Sequence, residues 1–542
     1  WLKLCWLQPF GLQKLSQGTQ FKLPEVLAEM QQPLVAILFG SIIVLIQTCI
    51  DFHDDGWHMW ALVCSVVSTI LCIVLILLDT KDNVMKFSSI FLLFWWTVGT
   101  ACMTVESPFP YTGNGYFGAW VAFVFSWLLA VQYLTVLKDA EQKLAHEDGW
   151  LVAMLTLASL VVFAQTLWLV IDDDRDSGEV IWVLLCSAVS LLIMVLLHIS
   201  AVSEKIKSHF VLIAIFLFVW WCVGWFIATF DAPYVTTGNG FFGCWVALVT
   251  SAMLADRLGL GVKKGTEGSG LPRTLTKLTI GSIVVLIAAT YDKHWDDDVW
   301  GAWAFICSIV STILCVVLLI VYGIGKENLV ARAMPFIAVF LLCWWIAGTG
   351  LMTFESPFVR TGNGYFAAWL ALISAAILCY DTFAKFRELV TKIGEQGHLL
   401  LLLLICSATL LIQVIEDELD DNCHHHGRHG RCGHGHDNLI VGWIVACATL
   451  AMCIIMMFLG AKPDFLKVLM VLMLLAWSVG VGVLTFDGPY KYTGNAYFAC
   501  WGGFILSVLG VWALFPQVAA KAGAPPVPNS PVAKVVGAVG GH

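Results

Sequence analysis

Charge is scarce in this chain of 542 residues. Asp, Glu, Lys and Arg make up 12% of it, against roughly a quarter in a soluble domain, while hydrophobic residues reach 59% and the mean hydropathy is +0.84. That balance excludes a water-soluble globular fold and makes lipid the natural solvent for most of the surface. The long apolar runs hold almost no ionisable residue. The charged midplane groups that mark an ion or substrate path are therefore missing, and only Gln47, Gln165 and Gln413 bring polarity near the end of a run. No Walker A, no HExxH and no Gly-rich dinucleotide phrase occurs, so an enzyme reading has nothing to stand on. The 18 Cys lie mostly inside apolar runs, as at Cys64, Cys72, Cys186 and Cys307, where they act as small hydrophobes rather than a disulfide framework.

What the chain has is repetition. TVESPFPYTGNGYFGAW starts at Thr104, TFDAPYVTTGNGFFGCW at Thr229, TFESPFVRTGNGYFAAW at Thr353 and TFDGPYKYTGNAYFACW at Thr485. A second phrase precedes each by one helix: CSVVSTIL from Cys64, CSAVSLLI from Cys186, CSIVSTIL from Cys307 and a weaker CATLAMCI from Cys447. Each copy holds four apolar runs of the length that crosses about 30 Å of hydrocarbon at 1.5 Å per residue. The expected fold is all-α: a polytopic membrane protein of four tandem four-helix transmembrane units, about 16 helices. Its divisions are an amphipathic segment at 1–32, units at 33–149 and 150–257, a flexible linker at 258–274, units at 275–397 and 398–516, and an extended tail at 517–542. Copies one and three match best, as expected for a two-unit module duplicated once more.

Sidedness follows from charge. If the termini, the loops between second and third helices and the inter-unit linkers share one side, that side collects 23 of the 29 Lys and Arg but only 16 of the 38 Asp and Glu. The two sides then carry +7 and −16. Positive-inside bias puts both termini on the cytosolic-equivalent side and makes the opposite face acidic.

The recurring phrase falls on the acidic side, between third and fourth helices. An acid ends the third helix (Glu106, Asp231, Glu355, Asp487), and two residues later a proline stops it (Pro108, Pro233, Pro357, Pro489). Thr-Gly-Asn-Gly, with Asn114, Asn239, Asn363 and Asn495, is expected to reverse the chain through positive φ angles. Aromatics such as Tyr116, Phe117, Tyr365 and Phe366, with Trp120, Trp245, Trp369 and Trp501, are expected at the membrane–water boundary. The phrase reads as a rigid hairpin cap repeated because each unit needs it. The sharper alternative is a quasi-fourfold constellation of the acids and Asn that binds a cation or ligand. Likeness of TGNGY to a potassium filter stops at the letters, since no room remains for a pore helix. On the third helix, a Gly seven residues before each acid (Gly99, Gly224, Gly348, Gly480) shares its face and invites close helix packing; a pigment, sterol or lipid slot beside the Trp pair is the alternative.

Two loop features concern metals. Acidic clusters occupy the first outer loop of every copy: Asp51, Asp54 and Asp55; Asp172, Asp173, Asp174 and Asp176; Asp292, Asp296, Asp297 and Asp298; Glu416, Asp417, Glu418, Asp420 and Asp421. Oxygen ligands at this density suit weak Ca²⁺ binding, without EF-hand spacing. In the fourth copy alone, Cys423, His424, His425, His426, His429, Cys432, His434 and His436 offer the ligand types of Zn²⁺, Cu or Ni²⁺ on a Gly-rich loop.

In topology the unit resembles four-helix membrane organisers of the MARVEL type, with inward termini and short outer loops. The TGNGYF phrase resembles one in uncharacterised four-helix proteins of algae and other protists. Neither likeness supplies catalytic residues. The expected function is a structural membrane scaffold or organiser, its partners lipids, other membrane proteins or copies of itself, with bound lipid and no nucleic acid. The alternative is a channel or transporter of four pseudo-equivalent units with an acidic outer vestibule.

Overall fold

A computed structural model describes residues 23–78, 82–134, 137–138, 147–171, 177–199, 207–257, 271–291, 299–423, 436–458 and 463–515. Sixteen long helices account for most of them. The first four are α1 (Leu23–Ile50), α2 (Gly56–Leu77), α3 (Asp82–Val105) and α4 (Asn114–Tyr133). Next come α5 (Glu147–Ile171), α6 (Gly178–His198), α7 (Phe210–Phe226) and α8 (Asn239–Ala255). They are followed by α9 (Leu271–Tyr291), α10 (Val299–Gly323), α11 (Glu327–Gly350) and α12 (Asn363–Thr382). The last are α13 (Ala384–Cys423), α14 (His436–Phe458), α15 (Pro463–Gly480) and α16 (Asn495–Leu514). Fifteen carry spans long and apolar enough to cross a bilayer; α8, at 17 residues, is the shorter one. The chain is an integral, multi-pass membrane protein.

Consecutive sets of four helices pack together, the first against the second and fourth and the third against the fourth. Each set has its own apolar core. The recurring phrases of the sequence are the reason. In the first bundle Trp96, fully buried, donates its indole N–H to Ser68 on α2 (2.9 Å), and Ser68 shares a 2.8 Å hydrogen bond with Ser41 on α1. Three helices are thereby pinned by one polar relay inside an apolar core, where each group would otherwise go unsatisfied. Trp221–Ser190–Ser159 and Trp345–Ser311–Ser282 repeat it. The preceding Trp donates to the backbone carbonyl of Cys64, Cys186 or Cys307 at 3.0 Å. Close approach at that crossing needs the glycines: a Cβ on Gly99, Gly224 or Gly348 would stand 2.7, 2.4 or 2.6 Å from the Sγ of those same cysteines. Packing thus accounts for the Trp pair and the small residue in these three bundles.

Several boundaries differ from the sequence reading. Helix α1 begins at Leu23, inside the segment read as interfacial, and α13 runs unbroken from Ala384, through what was read as linker, to Cys423. Glu416, Asp417 and Glu418 therefore sit on helix rather than loop, because hydrogen-bonded propagation through good helix formers outlasts the apolar run. In three bundles the third helix ends in a π-helical turn, Ile227–Asp231, Leu351–Glu355 and Val481–Phe486, so Gly and acid no longer share a face by simple two-turn spacing.

Candidate functional site

The four recurring phrases meet. Thr112 shares hydrogen bonds with Thr237 (2.7 Å) and Thr493 (2.7 Å), and Thr361 with Thr237 (2.8 Å) and Thr493 (2.7 Å). One hydroxyl from each bundle closes a four-membered ring, and all four threonines are buried. A hydroxyl has one proton to give and lone pairs to receive, so each member donates once and accepts once around the circle. The bundles accordingly stand around a common axis, all presenting the same connection to it.

Beside this ring each Asn reaches across a seam into the preceding bundle. Asn239 Nδ2 donates to the Thr104 carbonyl (3.1 Å) and hydroxyl (2.9 Å), Asn363 to those of Thr229 (3.0 and 2.9 Å), and Asn495 to those of Thr353 (3.0 and 3.1 Å). Asn114 closes the circle on Thr485 of the fourth bundle (2.9 and 3.2 Å). The accepting carbonyls belong to the last turn of a third helix, which has no partner of its own. Each accepting hydroxyl gives its proton back to the carbonyl four residues earlier, which leaves its lone pairs for the Asn. The amide oxygen is used as well: Trp120 donates to Asn239 (3.1 Å), Trp245 to Asn363 (2.9 Å), Trp369 to Asn495 (3.3 Å) and Trp501 to Asn114 (2.9 Å). Tyr116 and Tyr365 add 2.8 Å bonds to Asn239 and Asn495. Every Asn is thus an inter-bundle tie engaged at both ends, not an open ligand. These tryptophans and tyrosines belong to the seams, and Tyr116, Tyr365 and Tyr497 are buried, not set at a wet boundary.

Glycine serves differently from the expectation. The residues before the Asn have φ of −174°, 175°, −175° and −180°, which is extended backbone. They allow contact across the seam instead, as where Gly113 forms an antiparallel bridge with Tyr492. The following glycines lie under a ring: a Cβ on Gly115, Gly240 or Gly364 would stand 2.3–2.4 Å from Phe109, Tyr234 or Phe358. The fourth bundle has Ala496 there. Gly364→Ala should therefore cost about 1–3 kcal/mol by overpacking. Ala496→Gly should cost only about 1 kcal/mol through chain entropy, and the two are compared by unfolding in mixed micelles.

The acids Asp231, Glu355 and Asp487 are exposed and Glu106 half-buried. The structure brings the four Asn together around the axis and leaves the acids outside that set. Pro108, Pro233 and Pro357 follow cis peptide bonds at the end of their third helices, and Pro489 stands at the same place in the fourth. Of the first acidic cluster, Asp51 pairs with Lys491 of the fourth bundle and accepts from Gln47 (2.7 Å). Asp55 caps α2, accepting from the backbone N–H groups of Trp57 and His58, each at 2.9 Å. Those backbone bonds, His58 first, hold its carboxyl below the usual carboxylate range against the opposing pull of burial. Gln47 also donates to the Phe486 carbonyl across the seam (3.2 Å).

Among the described residues no three His, Cys, Asp or Glu side chains stand close enough to share a metal ion. Residues 172–176, 292–298 and 424–435 lie outside the described residues, and so do the side chains of Asp420, Asp421, Cys423 and His436. The candidate ligands His424, His425, His426, His429, Cys432 and His434 are among them, with two of the acidic clusters.

No protein-family model, no curated protein and no solved structure matches this sequence.

Proposed function

We propose that this protein is a structural membrane scaffold: four tandem four-helix transmembrane units locked into a closed circle, with both ends of the chain on the cytosolic-equivalent face. The observation that carries the reading is the threonine ring. With edges of 2.7–2.8 Å, the ring's centre lies on average no more than about 2 Å from each oxygen, well inside the 2.3–2.6 Å that Ca²⁺ needs and shorter still for larger monovalent ions. Each hydroxyl spends its proton on its neighbour in the ring. Among the described residues the buried polar groups are Ser, Thr, Asn, Gln and a single His; some bond back to their own helix, as Ser65 does to Ala61, while the ring threonines and the four Asn tie bundle to bundle. A rigid platform of this kind suits the organisation of lipids or neighbouring membrane proteins.

The fourfold arrangement under acidic outer loops favours one other reading, a channel whose threonine ring is a closed gate. Purified protein in liposomes, loaded in turn with K⁺, Na⁺, Ca²⁺ and Cl⁻ reporters, decides between them. The scaffold predicts flux equal to protein-free vesicles. Selective flux that is lost when Glu106, Asp231, Glu355 and Asp487 become Ala would sink it.

A further inference from the structure

A cavity of about 390 Å³ opens at the seam where the fourth bundle meets the first. That volume falls in the range of small-molecule sites. Its polar lining is Gln47, Asp51, His53, Asp55 and His58 from the first bundle and Lys491 from the fourth. Buried Phe109 and Tyr116 and exposed Tyr111 and Tyr492 add aromatic surface.

The cavity has a surplus of acceptors. Gln47 is only 3% exposed, and its Nδ-side counterpart groups are already spent: Nε2 donates to Asp51 and to the Phe486 carbonyl, while Oε1 is buried with no partner. A buried oxygen in that state is costly and calls for a donor. In the second bundle Gln165 holds the same place, six residues past the relay serine, and its Oε1 receives the Asn239 amide at 3.3 Å. The corresponding bond from Asn114 to Gln47 is absent, and both residues line the cavity. The histidines add to the surplus. His53 Nδ1 lies 2.7 Å from the Asp51 carbonyl oxygen, and His58 Nδ1 lies 2.7 Å from the Asp55 carboxylate. Both oxygens can only accept, so a neutral ring carries its proton on Nδ1 and keeps a lone pair on Nε2.

Charge points the same way. Asp51 is spent on Lys491 and Asp55 remains, so with neutral imidazoles the lining has a formal charge of −1. An anion would face Asp55 with only the paired Lys491 to hold it. A metal ion lacks ligands, since no three His, Cys, Asp or Glu side chains converge among the described residues. Aromatic ring faces attract organic cations.

We propose that this cavity binds a small organic molecule carrying a protonated amine, whose N–H groups meet Gln47 Oε1 and the imidazole nitrogens and whose apolar part lies against the aromatic rings. The proposal goes beyond the scaffold reading and holds whether or not liposomes conduct. Because the walls come from both bundles, occupancy also tightens the joint that closes the circle.

The test is calorimetric titration of the full chain in a nonionic detergent, against detergent alone. Three probes are used: phenethylamine, an ammonium with N–H donors; benzyltrimethylammonium, a cation without them; and hydrocinnamate, an anion. Phenethylamine should bind saturably, benzyltrimethylammonium more weakly and hydrocinnamate not at all. Asp55→Asn keeps a side chain that caps α2 and removes the unpaired charge, so it should weaken phenethylamine about tenfold. Lys491→Gln frees Asp51 and should tighten it by a similar factor. The proposal is overturned if phenethylamine does not bind, if either other probe binds as well, or if affinity is unchanged in either folded variant. Should neither variant fold, His53→Phe alters an exposed ring and removes one acceptor; it should weaken phenethylamine, and unchanged affinity overturns the proposal equally.

Discussion

Asn363→Ala should lower the protein's stability by about 3 kcal/mol, although it removes one small side chain. The amide touches no apolar core of consequence; its value lies in what it leaves behind. The Thr229 carbonyl and hydroxyl and the Trp245 indole N–H all lose their partner at a buried seam, at 3.0, 2.9 and 2.9 Å respectively in the intact protein. An orphaned buried polar group costs about 1–3 kcal/mol, and two of the three have no alternative bond. Hydrogen bonds between membrane helices average nearer 0.6 kcal/mol, which sets a floor of about 2 kcal/mol for the three together. Desolvation of the orphans should carry the result above that floor, because no lipid group can replace the donor. Asn363→Asp keeps the shape and the acceptor but loses both donors, so it should rescue nothing. Unfolding in mixed micelles measures both variants. Values within about 0.5 kcal/mol of wild type, the usual size of a neutral surface change, would show that the seams do not hold the circle.

Trp345→Ala should cost about 3–5 kcal/mol, the range for emptying the space of a fully buried aromatic. The more discriminating comparison replaces Trp by Phe. Trp345→Phe removes the 3.0 Å bond to Ser311 and should cost about 1–2 kcal/mol. In the fourth bundle Trp477 is just as buried, yet its N–H has no partner, because Ala451 stands where the other copies place serine. Trp477→Phe relieves an unsatisfied donor and should be nearly neutral or slightly stabilising. Equal losses at 345 and 477 would show that ring volume alone, and not the relay to α10 and α9, explains why tryptophan is used.

Much of this architecture is legible in the sequence, and the part that is not has a definite cause. Apolar run length and the recurring phrases mark sixteen helices in groups of four, and the glycine that follows each Trp pair marks tight packing of the third helix, although the π-helical turns undo the shared face that its seven-residue spacing from the acid implies. The phrase around Asn114, Asn239, Asn363 and Asn495 reads as a hairpin cap within each unit, because chemistry there is local in sequence: proline, glycine, amide. A strict repeat, however, cannot distinguish a contact within one copy from the same contact made to the next. The Asn239–Thr104 bond has the composition of an internal cap and spans 135 residues. Thr112, Thr237, Thr361 and Thr493 carried no signal beyond their recurrence, since threonine is at home in any turn. The positive-φ expectation failed for a related reason: glycine's freedom of rotation and its lack of bulk leave the same letter. Here the lack of bulk is what Phe109, Tyr234 and Phe358 use.

The closed circle also fixes what the protein can assemble into. Each bundle offers an amide on one flank and a threonine–tryptophan receptor on the other, a head-to-tail contact that in an open row would leave one of each exposed. Such a row would be sticky-ended and would polymerise through the membrane plane. Joining Asn114 to Thr485 and Trp501 consumes both ends at once. No fifth bundle can be recruited by this chemistry, and the assembly has a fixed size written into its own chain. Any larger array must use outward-facing helices, leaving the central joints untouched.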